Sequence, residues 1–325
     1  LSRLPVQEWL YKRIFPMEAK FQDGDIYHLT KGGILEYLTS GITAAFDMYF
    51  RPPEIIKASE ELGFRTMILA TSDSEPISLL RERYHLYNQK DSLISYNLGI
   101  HAEYTTSPPR LKDVADLANE LHAPVYLHIG ETQSEVEGCV SRYGVRPVEY
   151  MDSIGMFNYG GGGFHCNFFS DNEIAIWKKH GLNIVTCPAS NLKLASGICP
   201  IAKYQKAGLQ IAIGTDGPAS NNSLDMFREM YLVSTLQKVT NNDAACMNAI
   251  DVLKMATLGG AKAMGLTNCD VLAKGKYADI IMIDLKNPAM QPINNILKNI
   301  VYAGSKEIVI MTMINGKILY YNHEF

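Results

Sequence analysis

Four titratable side chains of this 325-residue chain each close a short apolar run. His101 ends ISYNLGIH, His128 ends PVYLH, His165 ends GFH and Asp216 ends IAIGTD, and Glu131 stands three residues beyond His128. One histidine of this kind is ordinary packing, with its ring bonded to a carbonyl. Four such groups at the ends of successive runs point to one site. Imidazole and carboxylate bind zinc well, and a catalytic zinc keeps a position open for water. The metal lowers that water's pKa to about 7, which gives hydroxide at neutral pH. A neighbouring carboxyl, here Glu131, can then shuttle the proton. The chemistry expected is metal-assisted hydrolysis.

The other histidines fit this pattern less well. His122 and His180 stand at helix ends, where an imidazole meets the helix dipole. His28, His85 and His323 have no strand-end context and read as surface or packing residues. Other nucleophile schemes fail. The chain has no G-x-S-x-G elbow, the turn that would expose a catalytic serine. It also lacks the P-C-x-x-C that must accompany H-x-E in the pattern of the cytidine-type zinc deaminases.

The elements that must position these groups alternate. Apolar, β-branched runs at 43–49, 65–71, 94–101, 124–131, 163–166, 182–190 and 209–217 read as strands. The patterns PEIIKASEELG, SPPRLKDVADLANELH, DNEIAIWKKHG and SLDMFREMYLVSTLQK read as helices between them. Gly160–Gly163 reads as a flexible link before the fifth run. Strand–helix alternation implies a parallel sheet covered by helices. In a barrel of this kind the site lies at the C-terminal ends of the strands. The runs number seven where a (β/α)8 barrel has eight. No G-x-G-x-x-G follows a first strand, which weakens a dinucleotide-binding fold. The expected fold is therefore α/β, a (β/α)8 TIM-type barrel over 1–265 whose first strand is expected upstream of Leu1. A small C-terminal β-sandwich portion follows over 266–325, where Asn315-Gly316 marks a hairpin turn.

Composition narrows the partners. Thirty basic and 34 acidic residues leave a formal net charge of −4, against the basic face that nucleic-acid binding needs. No apolar run reaches the length of a membrane span. Six cysteines without a C-x-x-C pair read as reduced thiols in a cytoplasmic protein. A small-molecule substrate is expected, with no nucleic acid or membrane as partner and a homodimer as the assembly to test.

Several stretches carry a resemblance. HIGET (128–132), RPVEY (146–150), SNLKLASG (190–197), GTDGPASNNSLDM (214–226), KGKYADIIMID (274–284) and NGK (315–317) resemble the amidohydrolase superfamily. Within it they are similar to the 5-methylthioadenosine/S-adenosylhomocysteine deaminases. SNLKLASG followed by GTDGPASNN is the specific part of the match.

The resemblance implies that His128 and Asp216 are zinc ligands and that Asp216 takes a proton from the attacking water. It implies that Glu131 protonates the purine ring nitrogen, and that His165 orients the hydroxide or is a further ligand. His101, Trp9 and Glu18 fall where the family holds the nucleoside. The implied reaction turns an adenine nucleoside thioether into the inosine analogue and ammonia. Deamination of guanine, another aminopurine or cytosine, triazine hydrolysis, or a metal-free fragment without activity stand as alternatives.

Three departures accompany the match. The family's first strand carries an H-x-H pair of ligands, and no two histidines here are spaced by two. FHCNFF stands where A-H-C-x-H-L is usual, and TCPASN where H-N-P is common. The missing pair agrees with the count of seven strands, and both lead to the expectation of an upstream segment. SNLKLASG reads as shaping a loop, with no chemistry assigned.

Overall fold

The computed structural model describes residues 4–69 and 75–325. Seven parallel strands form one sheet in sequence order: β1 Ala44–Asp47, β2 Arg65–Leu69, β3 Ile94–Ala102, β4 Val125–Ile129, β5 Gly161–His165, β6 Asn183–Thr186 and β7 Gln210–Ile213. Each strand is joined to the next through helices, as parallel pairing requires. The result is a curled, TIM-type half-barrel. All seven runs are strands. Of the second run, Ala70 and Thr71 lie outside the described residues.

Alternation along the strands sorts side chains between two layers. Tyr96, Leu98 and Ile100 of β3 and Ile184 of β6 point outward, into the large core shared with the helices. Leu69, Tyr126, Phe164, Val185 and Ala212 point inward and pack together with Phe46. The anticipated helices form at Pro52–Leu62, Pro108–Leu121, Asp171–Lys179 and Met226–Thr240. Ser170 caps the third through the Glu173 amide, and Asp225 caps the fourth through the amides of Phe227 and Arg228. Gly63 ends the first at φ 69°, a left-handed value that glycine adopts without strain.

The glycine run is a correction to the sequence reading. Gly161–Gly163 are buried strand residues rather than a flexible link. A Cβ on Gly161 would stand 1.9 Å from the Val125 carbonyl oxygen, and one on Gly162 would stand 2.4 Å from that of Asn183. Only glycine lets β4, β5 and β6 approach this closely.

C-terminal to the barrel, β8 Ile280–Ile283, β9 Val309–Ile314 and β10 Lys317–Tyr321 form an antiparallel sheet in the order β10-β9-β8. Asn315-Gly316 is the β9–β10 turn. A helix at Ile296–Tyr302, which the strand pattern did not foreshadow, lies between β8 and β9. The buried Arg65 at the start of β2 makes a two-pronged ion pair with Asp279, at 2.7 and 2.9 Å, and ties the two sheets together. No helix among the described residues is long and apolar enough to cross a membrane.

Candidate active site

Strand register sets three histidines at one height. Ala102 pairs with His128 across β3 and β4, and Ile129 pairs with His165 across β4 and β5. His101 and His128 share inward parity with Tyr126, and their ring centroids are 4.7 Å apart. His165 has the outward parity of its strand, yet its ring lies 5.2 Å from that of His128. The backbone explains this: His165 and Cys166 take φ values of 69° and 52°. That left-handed turn swings the ring back over the sheet end, at roughly 1–2 kcal/mol of strain per residue. Asp216 also sits at a left-handed φ, 58°. Strain of this kind gathers where a side chain must be aimed.

Each candidate group is held by named partners. The Nδ1–H of His128 donates to the His101 carbonyl oxygen at 3.0 Å, which leaves Nε2 with its lone pair. Thr105 gives its hydroxyl proton to the Ala102 carbonyl, so it accepts from His101 Nδ1 at 2.8 Å. Asp216 accepts from Ser190 Oγ at 2.5 Å and Ser220 Oγ at 2.7 Å on one oxygen, and from the Gly217 amide at 2.6 Å on the other. Glu131, 6% exposed, accepts from Ser196 Oγ at 3.1 Å. Its backbone amide and that of Gly130 both donate to the buried Glu135 carboxylate at 2.7 Å.

Burial drives the electrostatics. It pushes the pKa of His128 well below the usual imidazole value and that of His101 to about 4, so both rings are neutral. It raises that of Glu131, whose carboxyl therefore keeps its proton more readily. Burial would also lower His165, but the carboxylates of Glu131 and Asp216 outweigh it and the pKa is raised. Burial opposes ionisation of Asp216. Interaction with the His165 and His128 rings and with the two serine hydroxyls outweighs it, and Asp216 falls below its ordinary value.

The structure thus gathers His101, His128, Glu131, His165 and Asp216 at the C-terminal edge of the sheet. Trp9 and Glu18 lie on a helical segment, Val6–Glu18, at the same face. Trp9 packs on Leu194, within the segment after β6, and its buried indole N–H has no hydrogen-bond partner among the described residues. Glu18 accepts from Tyr49 Oη at 2.7 Å, just beyond β1, and burial raises its pKa. The remaining histidines stand apart, His180 bonded to Asp152 at 2.6 Å and His122 stacked on Tyr159.

His128 Nε2 and the Asp216 carboxylate suit a metal in kind, because the hydrogen bond on His128 Nδ1 is the outer contact that fixes a ligand's tautomer. Among the described residues, however, no three His, Cys, Asp or Glu side chains stand close enough to enclose an ion. These two donors are of a kind that fits a metal.

The residues that hold these candidate groups do not stand out in the sequence: Glu135, Asn167, Ser190, Asn191, Ser196 and Glu229. Their signal was present in SNLKLASG, which supplies three of them.

A family model described as the amidohydrolase family matches residues 1–319. A 5-methylthioadenosine/S-adenosylhomocysteine deaminase of Dictyoglomus thermophilum is 38% identical over 325 residues, covering 97% of this chain and 76% of its own. One of Thermoanaerobacter pseudethanolicus is 39% identical over 332 residues, covering 99% and 77%. The chain thus spans about three quarters of the length of these relatives. Among solved structures, an adenosine deaminase from Xanthomonas campestris with bound zinc superposes with a TM-score of 0.94. It is 34% identical, covering 100% of this chain and 76% of its own. A triazine hydrolase variant superposes at 0.90 with 21% identity, covering 99% and 78%, and shares the fold.

Proposed function

The chain belongs to the amidohydrolase family, and on that premise we propose that it hydrolytically deaminates an adenine nucleoside thioether, 5-methylthioadenosine or S-adenosylhomocysteine. The observation that carries this reading is the convergence of a protonatable Glu131, an ionised Asp216 and two neutral histidines at one edge of the barrel. Relatives named for this activity at 36–39% identity support the substrate class.

The reaction adds water to the purine carbon that bears the amino group, breaks its C–N bond and releases ammonia. Asp216, which accepts hydrogen bonds from Ser190 and Ser220, takes a proton from the attacking water and passes it to the amino group, which leaves as ammonia when the C–N bond breaks. Glu131, whose burial raises its pKa, gives a proton to the adjacent ring nitrogen. His165 orients the attacking oxygen. His101, Trp9 and Glu18 hold the nucleoside, and the partnerless Trp9 N–H and the Glu18 carboxylate suit its polar groups. We assign His128 and Asp216, with His165 as a further candidate, to a metal, in this reading zinc. When bound it would polarise the water and lower its pKa. Six free cysteines fit a reducing compartment, which in this reading is the cytoplasm.

The test is ammonia release with the two thioether nucleosides, adenosine, guanine and cytosine as substrates. Turnover of the thioether nucleosides is expected, and turnover of free bases alone would overturn the substrate class. Glu131→Gln removes the proton donor and should lower kcat by at least about 100-fold. Near-normal kcat would remove Glu131 from its role.

A further inference from the structure

The segment SNLKLASG has so far been given no part in the chemistry, yet it touches all three reacting groups. Ser190 donates to Asp216, Ser196 donates to Glu131, and Asn191 meets the ring of His165. Lys193 clips the segment to the Asp216 loop through the Ala219 carbonyl, at 3.1 Å, and Asn222. The buried Glu229 joins both loops, accepting from the Ala189 amide at 3.0 Å and from Asn221 at 2.8 Å. One element therefore sets the relative positions of three side chains that come from different strands.

Within it, Asn191 is one link of a buried chain whose direction can be worked out. The chain begins at the backbone carbonyl oxygen of Glu131, which can only accept. Asn167 Nδ2 donates to it at 2.8 Å, so Asn167 Oδ1 faces the other way. Asn191 Nδ2 donates to that Oδ1 at 2.9 Å. Asn191 Oδ1 is left facing His165 Nδ1 at 2.7 Å. Because that oxygen can only accept, His165 Nδ1 must carry the proton. Flipping either amide would set oxygen against oxygen, at Asn167 or at the Glu131 carbonyl. Asn167, Asn191 and His165 are 5%, 1% and 1% exposed, so water cannot easily replace a lost link.

We infer that Asn191, oriented by Asn167 from the Glu131 carbonyl, is a positioning residue that locks His165 in the Nδ1–H tautomer and keeps its Nε2 lone pair available to the reaction. This relay also couples the two halves of the site. The backbone that carries the proton donor Glu131 dictates the state of the ring that orients the attacking oxygen. The catalytic part of the inference rests on the deaminase reading above. The tautomer does not.

The test reads the tautomer directly, by two-bond 1H–15N correlation spectra of the 15N-histidine-labelled chain in mildly alkaline buffer, with His165→Gln identifying the signal. The wild-type His165 should be Nδ1–H. Asn167→Ala does not touch the ring, yet it should release the tautomer into a mixture, as should Asn191→Leu. Asn191→Asp keeps the acceptor and should restore the Nδ1–H form. In ammonia-release assays the two disrupting variants should lose about 10–100-fold in kcat, with KM nearly unchanged, and Asn191→Asp should recover part of it.

An Nε2–H ring in the wild type, or an unchanged tautomer in Asn167→Ala, would overturn the relay. If Asn191→Leu does not fold, Asn167→Ala decides the question alone. If the wild-type chain deaminates no nucleoside, the functional reading falls while the spectra still judge the relay.

Discussion

At the scale of the residue, the site is governed by competition between burial and neighbouring charge. Glu131 and Asp216 are both carboxylic acids in one site, and their pKa values shift in opposite directions. In the proposed reaction that separation lets one group give a proton while the other takes one. A third acid, Asp47 at the end of β1, offers a cleaner pH test because burial is the sole cause of its shift, to about 6 from 3.8. A raised native pKa means that the folded chain holds this proton more tightly than the unfolded one. The stability it contributes is complete below about pH 3.8 and is lost as the pH rises through about 6. Asp47→Asn stays neutral throughout. Thermal unfolding of the two proteins side by side should show the variant gaining on the wild type between pH 4 and 6, by up to about 3 kcal/mol. A gap that does not change with pH would contradict the assignment.

At the scale of the element, β5 is the most constrained strand. Its glycines are there for contact with β4 and β6, and its last residue turns left-handed to aim His165. Gly162→Ala should therefore destabilise the chain by at least about 2 kcal/mol, because the new methyl meets backbone rather than a movable side chain. Gly260→Ala provides the contrast. Gly260 opens a helical turn, and an added Cβ there has no atom within 4 Å. That change should be neutral or stabilising by up to about 1 kcal/mol. Urea unfolding midpoints measure both, and equal effects would show that close strand approach is not what β5 requires.

At the scale of the whole molecule, the barrel and the C-terminal sheet are joined by a buried ion pair. Arg65 and Asp279 are 4% and 3% exposed, and Asp279 also accepts the Asn315 amide at 2.8 Å. Removing one partner leaves an uncompensated buried charge, so Asp279→Ala should cost about 3–5 kcal/mol by urea unfolding. A loss below about 1 kcal/mol would mean that solvent reaches this pair. The proposed metal also belongs to this scale, because the residues assigned to it come from separate strands. Elemental analysis of the deaminating protein should find about one zinc per chain. Dialysis against a chelator should abolish ammonia release and added zinc should restore it. Full activity without metal would remove it from the mechanism.

Much of the fold and of the candidate site was legible in the residues themselves. Apolar, β-branched runs mark the seven strands, because a strand between two packed layers must be apolar on both faces. The same runs end in His101, His128, His165 and Asp216, because side chains at the C-terminal strand ends of such a sheet meet in one place. What the residues alone did not reveal depends on contacts between segments distant in the chain. The glycines of β5 read as a flexible link until the neighbouring strands came within carbonyl distance of them. The left-handed turn at His165 is set by packing rather than by local preference. Asn191 and Asn167 read as loop residues. Only the folded chain, by placing Asn191 26 residues from His165 in sequence and 2.7 Å from it in space, turns two asparagines into a relay anchored on a single carbonyl.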